Sequence, residues 1–164
     1  MRNELSPPRV FTREQSKVKA ESYCAYQERS QQEVRNKLYD WGLHEREVEE
    51  VISELIQSNF LNEERFALAY TTGKFRIKGW GKNKIRQGLK LKRVPDKMIL
   101  KALNAIDPDD YLAKLQSLVE KKHATIREID PYKLKFLLSR YVVGKGYEND
   151  LVADVLKYDF KTPR

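Results

Sequence analysis

The sequence predicts an all-α protein assembled from tandem copies of a three-helix, helix-turn-helix-like unit, about nine helices in all. The first observation behind this is a repeat. Sliding the chain against itself by 51 residues places Val34 on Ile85, Leu38 on Leu89, Leu43 on Val94, Val48 on Ile99, Val51 on Ala102, Ile52 on Leu103 and Leu55 on Ile106. A shift of about 104 brings Leu138, Val142, Gly146, Tyr147, Val152, Val155 and Leu156 into the same register. The second observation is the lack of sheet signals: only 7 Gly and 6 Pro punctuate the chain, and no alternating Val/Ile/Thr runs lie between turn dipeptides. The third is a series of helix-start signals at the spacing that the repeat demands.

Residues 1–14, with Ser6-Pro7-Pro8 and scattered charges, carry no apolar period and are expected to form a flexible tail. From about Gln15 the pattern turns helical. Ser30 followed by Glu33 has the form of a capping box, and Val34, Leu38 and Trp41 recur at helical spacing up to Gly42, where a left-handed C-cap costs glycine least. A third helix starts at His44 or Glu45, with Val48, Val51, Ile52 and Leu55 on one face and glutamates on the other. Asn62-Glu63-Glu64 opens the first helix of the next unit with an amide cap and acids at the positive end of the dipole; Asp107-Pro108-Asp109-Asp110 opens the third in the same way. The expected organisation is a unit at 15–60, a basic unit at 61–106, a unit at 107–160 and a short tail at 161–164. A unit of this size buries little alone, so neighbours are expected to share apolar surface.

Charge narrows the function. The chain carries a net +8, but residues 65–106 hold 12 basic side chains and one acid, directly after a stretch, 44–64, with 1 basic and 7 acidic. Between Lys74 and Arg93 there is no acid at all. On the helix beginning near Lys82, Ile85 and Leu89 face inward, while Lys82, Arg86, Lys90 and Arg93 step along an outward stripe. A solvated face normally mixes signs; like charges at helical spacing repel, and an anionic partner relieves the repulsion. Lys74, Arg76, Lys78, Lys82, Lys84, Arg86, Lys90 and Arg93 are therefore the candidate residues for binding nucleic acid or an acidic filament surface.

Catalytic chemistry finds little support. His44 and His123 stand in neither a His-x-x-x-His nor a Cys/His pattern, the glycines do not form a phosphate loop, and neither metal nor cofactor is expected. The single cysteine, Cys24, precludes a disulfide framework within the chain and suits a reducing compartment. With no apolar run of membrane-spanning length and no leader-like start, the expectation is a cytoplasmic binding protein, not an enzyme.

At this point a family emerges. Asn62-Glu63-Glu64-Arg65-Phe66-Ala67-x-x-Tyr70, then Lys78-Gly79-x-Gly81-x-x-Lys84-Ile85-x-x-x-Leu89 and Val94-Pro95-Asp96, closely resembles the central signature of the RecX family of bacterial recombination regulators. The opening segment, Val34-x-x-x-Leu38, Gly42-Leu43 and Val48-x-x-Val51-Ile52-x-x-Leu55, fits the same family; residues 107–158 fit it loosely. The resemblance implies an elongated, curved monomer of tandem three-helix modules. It further implies docking in the groove of the RecA nucleoprotein filament, restraint of RecA strand exchange and ATPase activity, and weak contact with single- or double-stranded DNA through the basic unit. One departure stands out. Family members commonly carry Gly before the Val of the middle turn, where this chain has Arg93, while Gly42 and Gly146 keep the glycine in the other units. The alternative function from a different class is an autonomous helix-turn-helix DNA-binding protein. Such readers place Asn, Gln, Arg or Ser at the start of one recognition helix; the predominance of lysine and arginine here favours backbone contact instead.

Overall fold

The computed structural model describes residues 10–159, which contain nine helices and no strand. The first unit comprises α1 (Arg13–Tyr26), α2 (Gln31–Asp40) and α3 (Glu45–Gln57); the second α4 (Glu63–Arg76), α5 (Lys82–Leu91) and α6 (Asp96–Asn104); the third α7 (Pro108–His123), α8 (Pro131–Gly144) and α9 (Asn149–Asp159). The predicted caps are present. Ser30 and Glu33 close a capping box, Asn62 accepts from the Arg65 N–H, and Asp107 accepts from Asp109 and Asp110.

The expected tail is shorter than the sequence pattern indicates. Residues 1–9 and 161–164 lie outside the described residues, but residues 10–14 belong to the fold. The backbone N–H groups of Val10 and Phe11 donate to Trp41 O, the Phe11 ring meets Trp41 edge-on at 6.1 Å, and Thr12 caps α1 reciprocally with Gln15. The physical reason is local: Thr12-x-x-Gln15 is itself a capping box, and it outweighs the scattered charges around it.

The repeat is realised atom for atom in the turn between the second and third helix of each unit. Leu43, Val94 and Tyr147 each donate a backbone N–H to the carbonyl five residues earlier, on Leu38, Leu89 and Val142, at 3.2, 3.1 and 3.2 Å. The residue before each lies in the left-handed region: Gly42 at φ 88°, Arg93 at 58° and Gly146 at 103°. This is the Schellman closure of a helix C-terminus, which satisfies carbonyls that the helix itself leaves open. Aligned apolar residues are buried at equivalent sites: Val34, Ile85 and Leu138, for instance, are all fully inaccessible.

Apolar sharing between units is unequal. The second and third units build one continuous core, from Phe66 to Leu156, with Phe75, Tyr111 and Tyr147 in ring contact across their junction. The first unit encloses a separate core around Val34, Leu38, Ile52 and Leu55. It joins the second through polar contacts: Arg65 to Glu28 at 2.7 Å, Lys92 to Glu33 at 2.7 Å, and the Gln31 N–H to Glu63 at 3.2 Å. Neighbouring units are thus attached in two ways, by a shared core and by a charged seam.

Candidate nucleic-acid interface

The basic segment occupies the last turn of α4, the loop after it and the whole of α5. Its orientation is fixed by the third unit. The first N–H groups of a helix have no partner within it; here Gly81 N–H donates to Lys145 O at 2.9 Å, Asn83 N–H to Gly146 O at 2.9 Å, and Lys82 N–H to the Tyr111 hydroxyl at 2.9 Å. Tyr111 in turn donates to Glu148 at 2.7 Å, and Tyr147 donates to Gly79 O at 3.1 Å. Burial raises the pKa of both phenols, so they remain neutral donors in this junction.

With α5 anchored at its start, three of the four expected stripe residues lie on one flank of the helix and Arg93 lies beyond its end. Lys82, Arg86 and Lys90 advance by one turn each along the flank of α5 beside the buried Ile85–Leu89 row, and Lys82 and Arg86 are half-buried there. The Lys82 ammonium stands 5.0 Å above the Tyr111 ring, Arg86 donates to Asn83 at 3.1 Å, and Lys90 is exposed. Lys84 points to the other flank, where it and Lys74 both sit on Trp80, at 4.6 and 4.8 Å. Lys78 is exposed beside them on the loop. Aromatic seats of this kind hold an ammonium in place without neutralising it.

Two predicted residues lie apart from this group. Arg76 borders a cleft of about 100 Å³ with Asp107 and Asp110, which oppose any approaching phosphate. Arg93 borders another, of about 210 Å³, with Arg35 and Glu63 at the seam to the first unit. Lys92, within the same basic run, is neutralised by Glu33. Among the described residues, none of the eight candidates forms an ion pair with a carboxylate, in contrast to the first unit, where Arg13, Lys17, Arg35 and Arg46 all do.

Folding adds basic residues that the sequence did not single out. Lys114 donates to Arg76 O at 3.2 Å and Lys145 to Lys78 O at 3.3 Å, while Lys122 lies 4.8 Å over Tyr141. Lys145 and Lys122, which share the Tyr141 ring, thus carry basic side chains from the α4–α5 loop into the third unit, whereas Lys114 lies with Arg76 beside Asp110. Residues 107–164 carry 11 basic and 10 acidic side chains, so a charge sum along the chain conceals what the fold separates in space.

The Cys24 thiol is buried and pushed up to about 11, far from a reactive thiolate. Among the described residues no group of three or more His, Cys, Asp or Glu could hold a metal ion, and no helix is long and apolar enough to cross a membrane.

Comparison with known proteins covers all three units. The model described as RecX, first three-helix domain, matches residues 17–55; the second three-helix domain matches 62–103 and the third 109–156. A "Regulatory protein RecX" of Clostridium perfringens strain 13 is 33% identical over 131 residues, which cover 79% of this chain and 61% of that protein. The protein of the same description from Clostridium acetobutylicum is 32% identical over 149 residues, 88% of this chain and 69% of its own. The chain thus spans about three fifths of the length of the C. perfringens relative. Among solved structures, RecX from Lactobacillus salivarius superposes with a TM-score of 0.81 at 22% identity, covering 88% of this chain and 94% of that one.

Proposed function

The chain belongs to the RecX family, and from that premise we propose that it is a regulatory protein which binds the RecA–DNA filament and restrains RecA recombinase and ATPase activity. The observation that carries this is the run of cations on α5 and the α4–α5 loop, none of which forms an ion pair with a carboxylate among the described residues. Unpaired cations at helical spacing attract a phosphate backbone by releasing its counterions, independently of sequence. In this reading Lys82, Arg86 and Lys90, with Lys74, Lys78 and Lys84 on the flank, approach the DNA of the filament, and contact with bare single- or double-stranded DNA is weak. The protein acts in the cytoplasm as a monomer, without cofactor or turnover of its own.

The autonomous DNA-reader alternative is disfavoured by the helices that would enter a groove. In a helix-turn-helix the second helix presents its N-terminal residues to base edges. Here the corresponding helices carry acids in their first turns: Glu45 and Glu47 in α3, Asp96 in α6 and Asp150 in α9. Carboxylates at those positions repel the phosphates flanking a groove.

Co-sedimentation with random-sequence DNA, with and without RecA and a non-hydrolysable ATP analogue, separates the two. Strong retention only with RecA present, together with slower RecA-dependent ATP hydrolysis, is the expected result. Equal retention on bare DNA would favour the reader, and nuclease or ATPase turnover by the purified protein would overturn the non-catalytic assignment.

A further inference from the structure

One basic residue of the run between Lys74 and Arg93 already has an anion. Lys92, the C-cap of α5, donates from its ammonium to Glu33 Oε1 of the first unit at 2.7 Å, across 59 positions of sequence. The other oxygen of that carboxylate accepts from the Ser30 N–H at 2.9 Å and closes the α2 capping box. Both partners of the pair are half-buried, with 33% and 23% of their side chains exposed. An ion pair in contact with water gains little over its solvated ions, so a competing anion displaces it at small cost.

A competing anion has a place to enter. Beside the seam between the first and second units lies a cleft of about 430 Å³, lined by Lys74, Lys78 and Lys92 together with Glu28 and Glu33. Lys74 and Lys78 belong to the candidate interface, so the masked cation borders the free ones. The two acids are held differently. Glu28 is fixed by Arg65, whose guanidinium also donates to Asn59 Oδ1 at 2.9 Å, to Asn59 O at 3.1 Å and to Phe60 O at 3.4 Å in the linker between the units. Glu33, by contrast, meets a single flexible lysine, and no shared apolar core backs that contact.

We propose that Glu33 stands in for a phosphate: the first unit masks Lys92, and a polyanion entering the cleft displaces the carboxylate, takes the ammonium and loosens the seam, which Arg65 continues to hold. The proposal rests on the polyanion contact of α5 put forward above and adds its regulation, because the closed seam and the bound polyanion compete for one ammonium. By linkage, whatever holds the seam shut weakens polyanion binding, and bound polyanion opens the seam by the same factor.

Two measurements test this. The first uses the unaltered protein. A carbodiimide, which joins a carboxylate to an amine in direct contact, should link Glu33 to Lys92, as read by mass spectrometry of the digest. Saturating single-stranded oligothymidylate at low salt should suppress that link several-fold and leave the link between Lys17 and Glu54, 3.1 Å apart within the first unit, unchanged. The second compares oligothymidylate affinity of the parent, Glu33→Gln, Lys92→Gln and the double variant by fluorescence anisotropy. Glutamine at this position keeps the capping box, so melting temperatures should stay near the parent's. Glu33→Gln should bind ~2–5-fold tighter, the span to which the strength of such an ion pair converts, and the gain should vanish in the Lys92→Gln background. A Glu33–Lys92 link that oligothymidylate leaves intact makes the pair a fixed structural contact, and an affinity gain that persists without Lys92 is a long-range charge effect; either overturns the proposal, as does unchanged affinity in Glu33→Gln. A parent that binds neither oligothymidylate nor filament is a separate failure, that of the polyanion reading itself, and takes this proposal with it.

Discussion

Arg93 occupies the left-handed turn position that Gly42 holds in the first unit, at φ 58° against 88°. A side chain costs ~1–2 kcal/mol in that region, and glycine's extra freedom in the unfolded chain returns ~0.5–1 kcal/mol of the difference. Arg93→Gly should therefore stabilise the protein by about 0.5–1 kcal/mol in denaturant melts. A loss of stability would mean that the Arg93 side chain makes a compensating contact at the seam with the first unit.

The junction of the second and third units leaves no room for a methyl group. A Cβ on Gly81 would lie 2.4 Å from the backbone of Gly146 and Tyr147, and one on Gly146 would lie 2.4 Å from the Lys84 Cβ. Gly81→Ala should cost ~1–3 kcal/mol, the usual range for overpacking. Calorimetry checks this, and a cost near zero would show that the two units slide apart freely.

The two separate cores predict two patterns of loosening. Leu38 and Leu89 are both fully buried and equivalent in the repeat, but they belong to different clusters. Truncating either to alanine should cost ~2–5 kcal/mol locally. By hydrogen exchange, Leu38→Ala should expose α1–α3 and leave α4–α9 protected, while Leu89→Ala should do the converse. Uniform loss of protection from either variant would mean that the charged seam couples the units as tightly as a shared core.

Within that seam Glu63 is 7% exposed, and one of its carboxyl oxygens has no hydrogen-bond partner. Burial holds its pKa above the ordinary carboxylate value, against the opposing pull of the Gln31 N–H. A carboxyl raised in the folded state imposes nothing below its unfolded pKa of about 4.3 and its full penalty above the folded one. Glu63→Gln should therefore raise the melting temperature at pH 7, and the gain should vanish near pH 4. A lower melting temperature at pH 7 would show that the ionised form is stabilised at the seam.

Much of this architecture was legible in the sequence because helix signals are local. Ser30 with Glu33, Asn62 and Asp107 each announce a helix start within four residues, and the offset of 51 carries Val34 onto Ile85 without any knowledge of the fold. The contributions of Lys122 and Lys145 were not legible, since they reach the basic surface only when the third unit packs against the second. Nor could sequence separate Arg76 from its neighbours: its proximity to Asp107 and Asp110 arises from residues about thirty positions away.

DNA contact by α5 is tested most directly with Arg86→Glu/Lys90→Glu, measured against the parent for filament binding by fluorescence anisotropy across a salt series. Each phosphate contact contributes ~0.7–0.9 to the log–log slope, so loss of two should flatten it by ~1.4–1.8 and weaken binding to all sequences alike. Exposed charges contribute little to folding, so helicity and melting temperature should match the parent. Inhibition of RecA-driven ATP hydrolysis should fall in step with binding. Unchanged affinity with an unchanged slope would contradict the assignment and remove α5 from the interface.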